Sequence, residues 1–168
     1  MFQINDVVVY GAQGVCEIIA IEEQRIGGGS KTYFVLKPKN TPGTTFYVPT
    51  WNEKALAKMR KVMTKQDVDA MIDSMPSKKP IWIENEKDRK EAYKNILASG
   101  DHAAVISMIQ ALYICKKERE AEGKQLHMSD EHFMKEAEQL LYHEWQYVLN
   151  VDKAGLMVYI FERLESNH

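Results

Sequence analysis

A two-part α+β fold, a small five-stranded β-barrel followed by a compact all-α domain, is predicted by a change of apolar period and a change of punctuation. The period switches from 2 to about 3.6 after Met63. Glycine and proline separate the apolar runs before that point, and Thr, Ser and Asp at helix-start positions separate them after it. At 168 residues the chain has room for one medium domain or two small ones, and the switch of period selects two.

The first run, residues 7–10 (VVVY), is β-branched and aromatic, and Gly11 and Gly14 bracket a turn into a second run over 15–21 that continues to about Arg25. Gly27, Gly28 and Gly29 suit a hairpin tip, because glycine takes positive φ without a Cβ penalty. A third strand is expected over 31–37. Pro38, Asn40, Pro42 and Gly43 then form a loop, and residues 44–48 (TTFYV) make a fourth strand that Pro49 ends. NEKALAKM reads as one or two helical turns, and residues 60–63 (RKVM) as a short closing edge strand. Five short strands in about sixty residues fit a barrel of the SH3 or Tudor type.

In the second part Thr64 is an N-cap with Asp67 at the capping-box position. Val68, Met71, Ile72 and Met75 follow at helical spacing until Pro76 stops the run, and residues 77–80 (SKKP) read as a short stiff linker. The next helix carries Ala92, Tyr93, Ile96 and Leu97 on one face and ends at Ser99 and Gly100. Asp101 caps a helix that buries Val105, Met108, Ile109 and Leu112, then runs into a solvated stretch ending at Gly123. Ser129 is expected to cap a helix bearing Phe133, Ala137, Leu140, Leu141, Trp145, Val148 and Leu149. After a break at Asn150 a last helix presents Leu156, Tyr159, Ile160 and Leu164. The expected domains are 1–63 and 64–168, with the linker at about 76–80.

Composition excludes several function classes. No apolar stretch approaches the span of a bilayer and the N-terminus lacks the basic and apolar regions of a signal peptide, so a cytoplasmic protein is expected; a monomer is also expected. Cys16 and Cys115 read as reduced thiols behaving as small hydrophobes. Net charge is -2, unevenly spread: residues 1–63 carry eight Lys or Arg against five Asp or Glu, the remainder 14 against 19. A helical part at -5 is not the basic footprint of a nucleic-acid binder. One local exception runs from Ser77 to Lys94, where Lys78, Lys79, Lys87, Arg89, Lys90 and Lys94 gather around Trp82 and Tyr93, interleaved with Glu84, Glu86, Asp88 and Glu91. At 100° per residue Lys87, Lys90 and Lys94 share a stripe. It reads either as a narrow basic ridge or as a surface laced by pairs such as Glu86 with Lys90. Trp82 likewise reads as a stacking or wedging side chain or as a plug in the core.

Catalytic motifs are missing. HEWQY (143–147) has Tyr147 where a zinc-protease motif needs its second histidine, and GGGSK sits between two strands rather than between a strand and a helix, out of context for a phosphate-binding loop. His102, His127, His132 and His143 have no Cys or carboxylate partners at ligand spacing. Neither catalysis, cofactor nor metal is expected.

The ordered set NDVVVYGAQGVCEIIAIE, TYFVLKP, FYVP and RKEAYKNILASGD resembles the CarD/CdnL family of bacterial transcription regulators over nearly the whole chain. The resemblance implies a Tudor-like N-terminal domain, similar to the polymerase-interacting module of the transcription-repair coupling factor, that binds the β subunit of RNA polymerase. Carried over by position, the docking surface is Arg25, Lys31, Tyr33, Thr45 and Tyr47. It further implies that the helical domain contacts promoter DNA at the upstream edge of the bubble without base readout, through Lys87, Arg89, Lys90 and Lys94 on phosphates. Family members place a tryptophan wedge three residues before the position of Arg89, where this chain has Glu86; Trp82, one turn earlier, is the substitute candidate or a packing residue. The expected activity is modulation of open-complex stability by a clamp on polymerase and DNA. The alternative is a protein-interaction adaptor whose helices bind no DNA.

Overall fold

The computed structural model describes residues 2–75, 80 and 82–166. Most of the expected linker, with Lys78 and Lys79, lies outside them. The chain divides into two compact units, Met1–Val62 and Met63–His168.

The first unit is an antiparallel five-stranded sheet in the order β4-β3-β2-β1-β5. Its strands are β1 (Val7–Tyr10), β2 (Val15–Ile26), β3 (Gly29–Pro38), β4 (Phe46–Pro49) and β5 (Met59–Lys61), with a one-turn helix α1 (Glu53–Leu56) between the last two. It is an open sheet: among the described residues no ladder joins β4 to β5, so the closure of a barrel is not seen. The turn into β3 uses Gly27 and Gly28, both at positive φ, which matches the twist of the flanking strands. Gly29 belongs to β3 instead of the tip and pairs with Ile26. Between Ile18 and Ala20 the register shifts, a bulge that leaves Ile19 unpaired and about 43% exposed. Val8, Cys16, Ile18, Phe34, Leu36, Val48 and Met59 form the core of this unit, with the Phe2 ring edge-on to Phe34 at 6.3 Å between centroids.

The closing strand departs from the expected 60–63. β5 ends at Lys61, because the Met63 backbone N–H donates to the Glu144 carboxylate at 2.8 Å and Met63 packs on the helical core. β4 begins at Phe46, leaving Thr45 outside the ladder, and keeps Pro49, opposite Tyr33, as its last residue. An edge strand tolerates proline because no second ladder needs its missing N–H.

The second unit comprises α2 (Lys65–Ser74), α3 (Glu86–Ser99), α4 (His102–Ala121), α5 (Met128–Leu149) and α6 (Lys153–Ser166). Thr64 and Asp67 form the reciprocal capping box, and Asp101 accepts from Ala103 N and Ala104 N at the start of α4. Gly100 and Asn150 end α3 and α5 in the left-handed conformation. The start of α5 differs from expectation. Its cap position is His127, whose side chain makes no capping bond, and Ser129 lies inside the first turn with its hydroxyl 3.3 Å from Glu86. The core gathers Val68 and Ile72 from α2, Tyr93 from α3, the Val105 to Leu112 face of α4, Phe133, Leu141 and Trp145 from α5, and Leu156 and Ile160 from α6. Polar ties hold α6 on α2: Arg163 forks both oxygens of Asp73 at 2.8 Å and lies 3.6 Å from Asp69, to which the Tyr159 hydroxyl donates. Among the described residues no helix is long and apolar enough to cross a membrane.

Burial sets an alkaline limit on this fold. It pushes the Cys16 thiol up to about 11 and the phenols of Tyr93 and Tyr142 up to about 12. A raised folded-state value means that the stabilisation is complete below the ordinary value, 9.0 for the thiol and 10.0 for the phenols, and is lost as pH rises through the folded one. Near-UV circular dichroism of the protein is therefore expected to be flat up to about pH 9 and to collapse towards pH 12. Cys16 should resist thiol reagents at about pH 8 until the sheet unfolds.

Candidate interaction surfaces

Strand register sorts the expected docking residues between faces. Lys31 pairs with Gln24, Tyr33 with Glu22 and Pro49, and Val35 with Tyr47, so Lys31, Tyr33 and Tyr47 share one face of the β2–β3–β4 sheet. Arg25 pairs with Ser30, one residue out of phase with Lys31, and therefore points to the opposite face. Thr45 is exposed just before β4. The structure thus brings three of the five together and sets Arg25 apart.

A fourth residue joins them that the sequence reading passed over. Trp51, about 52% exposed, follows β4 by two residues, and the Lys31 ammonium lies 4.1 Å from its ring centroid. Thr50 places it there: its N–H and its hydroxyl both donate to Thr32 O, at 3.1 and 3.0 Å, which continues the β3–β4 pairing past Pro49. On the far side of Trp51, Asn52 accepts from Lys54 N and Ala55 N and starts α1. Its signal in the sequence is position: a tryptophan fixed between the end of an edge strand and a helix cap, serving the period of neither. The outcome is a strip of Tyr33, Tyr47 and Trp51 with one stacked cation, beside the free backbone edge of β4. That combination can accept an added strand while aromatic side chains grip its residues.

On the helical unit the expected phosphate contacts divide differently. Lys87 and Lys94 are exposed on α3, and Lys90 is half-buried with its ammonium 3.3 Å from Glu86. Lys90 holds the Glu86 carboxyl below its ordinary range, so this position stays anionic near neutral pH. Arg89, expected at the surface, is only 3% exposed. Its Nε and Nη2 donate to the two oxygens of Asp130 on α5 at 2.9 and 2.8 Å, and Nη1 donates to the carbonyls of Ile83 and Glu84 at 3.0 and 3.3 Å. Asp130 is fully buried, and the pairing raises Arg89 further above its ordinary value. The guanidinium also lies 4.4 Å from the Trp82 ring centroid. Trp82 is half-buried against the helical core. Arg89 is therefore a brace in this structure. It locks the segment before α3 onto α5 and occupies a face of Trp82, while its donors are turned away from solvent.

Both cysteines are free, Cys16 buried and Cys115 half-buried, and among the described residues no group of three His, Cys, Asp or Glu is placed to hold a metal. Residues 2–63 match the family model of the CarD-like/TRCF RID domain. No match is found among curated proteins. The match covers the whole sheet and stops where Met63 turns into the helical core, and it places residues 2–63 in the CarD-like family of RNA polymerase-interacting domains.

Proposed function

We propose that the chain is a non-catalytic regulator of transcription initiation that docks on the β subunit of RNA polymerase through β4 and acts beside promoter DNA at the upstream edge of the bubble. The observation that carries this reading is the family match over residues 2–63 together with the aromatic strip at the β4 edge. Lys31, Tyr33, Tyr47 and Trp51 are its central contacts, with Arg25 and Thr45 at the margin. In the helical unit Lys87, Lys90 and Lys94 face the duplex, Arg89 braces them, and Trp82 is held by that brace. A charge ridge this thin suffices when polymerase supplies the local concentration, since tethering raises apparent affinity by orders of magnitude without new contacts.

Tagged full-length protein is expected to capture core polymerase, and Tyr47→Asp with Trp51→Asp is expected to weaken that capture at least ~10-fold, since a few aromatic anchors dominate such interfaces. Undiminished capture by the double variant would remove the β4 edge from the reading. Binding to free DNA is expected to be weak and to tighten when polymerase is present; tight, sequence-specific shifts of free DNA would contradict a tethered clamp. A second reading, an adaptor that binds polymerase and no DNA, is favoured by the burial of Arg89 and the Glu86–Lys90 pair. It predicts capture with no effect of the chain on the stability of open complexes.

A further inference from the structure

The net charge of the sheet unit resides in one short segment. Residues 1–62 carry eight Lys or Arg against five Asp or Glu. Outside residues 53–61, Arg25, Lys31, Lys37 and Lys39 are balanced by Asp6, Glu17, Glu22 and Glu23. Inside it, Lys54, Lys58, Arg60 and Lys61 face a single acid, Glu53, so the whole excess of +3 sits between α1 and β5. Lys54, Lys58 and Lys61 are exposed, and among the described residues none of the three has an ion-pair partner. The fold holds them in place. Asn52 caps α1, the Lys58 carbonyl accepts from Gly11 N at 2.9 Å, and Lys61 pairs with Val8. β5 is the terminal strand at the other end of the sheet order from β4, so this cationic edge leaves the aromatic edge free for protein.

The α3 segment offers less. From Glu84 to Lys94 four acids match four bases, Arg89 is consumed by Asp130, and Lys90 is paired with Glu86. We infer that the α1–β5 edge of the sheet unit, through Lys54, Lys58 and Lys61, is a nucleic-acid backbone contact and carries more of the phosphate affinity than the α3 ridge. Mobile ammonium groups without carboxylate partners displace condensed counterions on a duplex, whereas paired ones gain little. The contact is independent of base sequence, because lysines on phosphate carry position and no readout. This inference rests on the proposal that the chain works beside DNA and moves the principal contact from the helices to the sheet.

Anisotropy of a labelled duplex of about 30 base pairs, titrated with the full chain at salt from about 25 to 150 mM, tests it. Combined Lys54→Glu, Lys58→Glu and Lys61→Glu is expected to weaken binding at least ~10-fold at the low-salt end. Lys→Gln at the same three positions, which removes charge without adding repulsion, should flatten the log–log salt slope by about 2–3. Lys87→Glu with Lys94→Glu should weaken binding too, by a smaller factor than the α1–β5 charge reversal. If the α3 variant instead takes the loss and the α1–β5 variants do not, the inference is overturned and the DNA reading stands. If the unaltered chain shows no salt-dependent binding, or no variant moves it, both are overturned, while polymerase capture remains a separate result.

Discussion

Asp130→Ala is expected to lower the stability of the helical unit by about 3–5 kcal/mol, because it removes the one carboxylate that pairs, among the described residues, with a buried guanidinium and leaves that charge uncompensated. Arg89 cannot relieve the strain by losing its proton, since arginine stays charged throughout the accessible range. Its remaining acceptors, the Ile83 and Glu84 carbonyls, satisfy donors without neutralising charge. Thermal denaturation should show a melting temperature lower by on the order of 10–20 °C. Asp130→Asn keeps one acceptor and should fall between. Arg89→Met combined with Asp130→Leu should recover most of the loss, because replacing both partners of a buried pair by apolar groups restores packing without a stranded ion. A double variant as unstable as Asp130→Ala would show that the pair does more than satisfy itself. In the Arg89→Met, Asp130→Leu variant the Trp82 ring loses the cation stacked on it, so its fluorescence reports the removal of the guanidinium locally.

Local chemistry was legible in the sequence and partnership at a distance was not. Thr64 with Asp67, Asp101, Gly100 and Asn150 all act as caps or stops at their expected places, because each uses a backbone group within four residues. Gly27 and Gly28 turn the hairpin for the same reason. Arg89 was misplaced because its partner is 41 residues away on another helix. A lysine-rich amphipathic pattern around it reads as surface whether or not a buried aspartate waits opposite. β5 ends early for a similar reason: Met63 is as apolar as a strand residue, and what withdraws it is Glu144, 81 residues on. Ser129 looked like a cap and serves as a side-chain link to Glu86, while α5 starts at Met128 with no side-chain capping bond. Within the expected docking surface, Tyr33 and Tyr47 came from the family resemblance by position, and the face of Arg25 required the register to Ser30, which only the fold supplies. The charge excess at residues 53–61 was countable from the start. It gained meaning once the structure showed Arg89 withdrawn and those lysines unpaired.

Trp145→Ala is the second change with a large expected cost, about 3–5 kcal/mol. Trp145 is fully buried on α5, stacked at 5.7 Å and a 39° tilt on Tyr142, within a core that α2, α4 and α6 also line. Truncation would open a cavity that closes only if whole helices shift, and the Arg163–Asp73 fork fixes α6 on α2, so collapse onto it is limited. The indole N–H contributes nothing to that figure, for it is buried and meets no acceptor among the described residues. Trp145→Phe should therefore cost much less than half as much, since it keeps most of the aromatic volume and discards a donor whose desolvation is already a penalty of about 1–3 kcal/mol. Chemical denaturation of the two variants separates volume from polarity: equal losses would mean that the indole N–H is bonded in solution, and a wide gap that Trp145 acts by filling space. Because Glu144, the next residue, holds Met63 at the entrance of the helical unit, the alanine variant should also loosen amide protection at Met63 before the bundle melts.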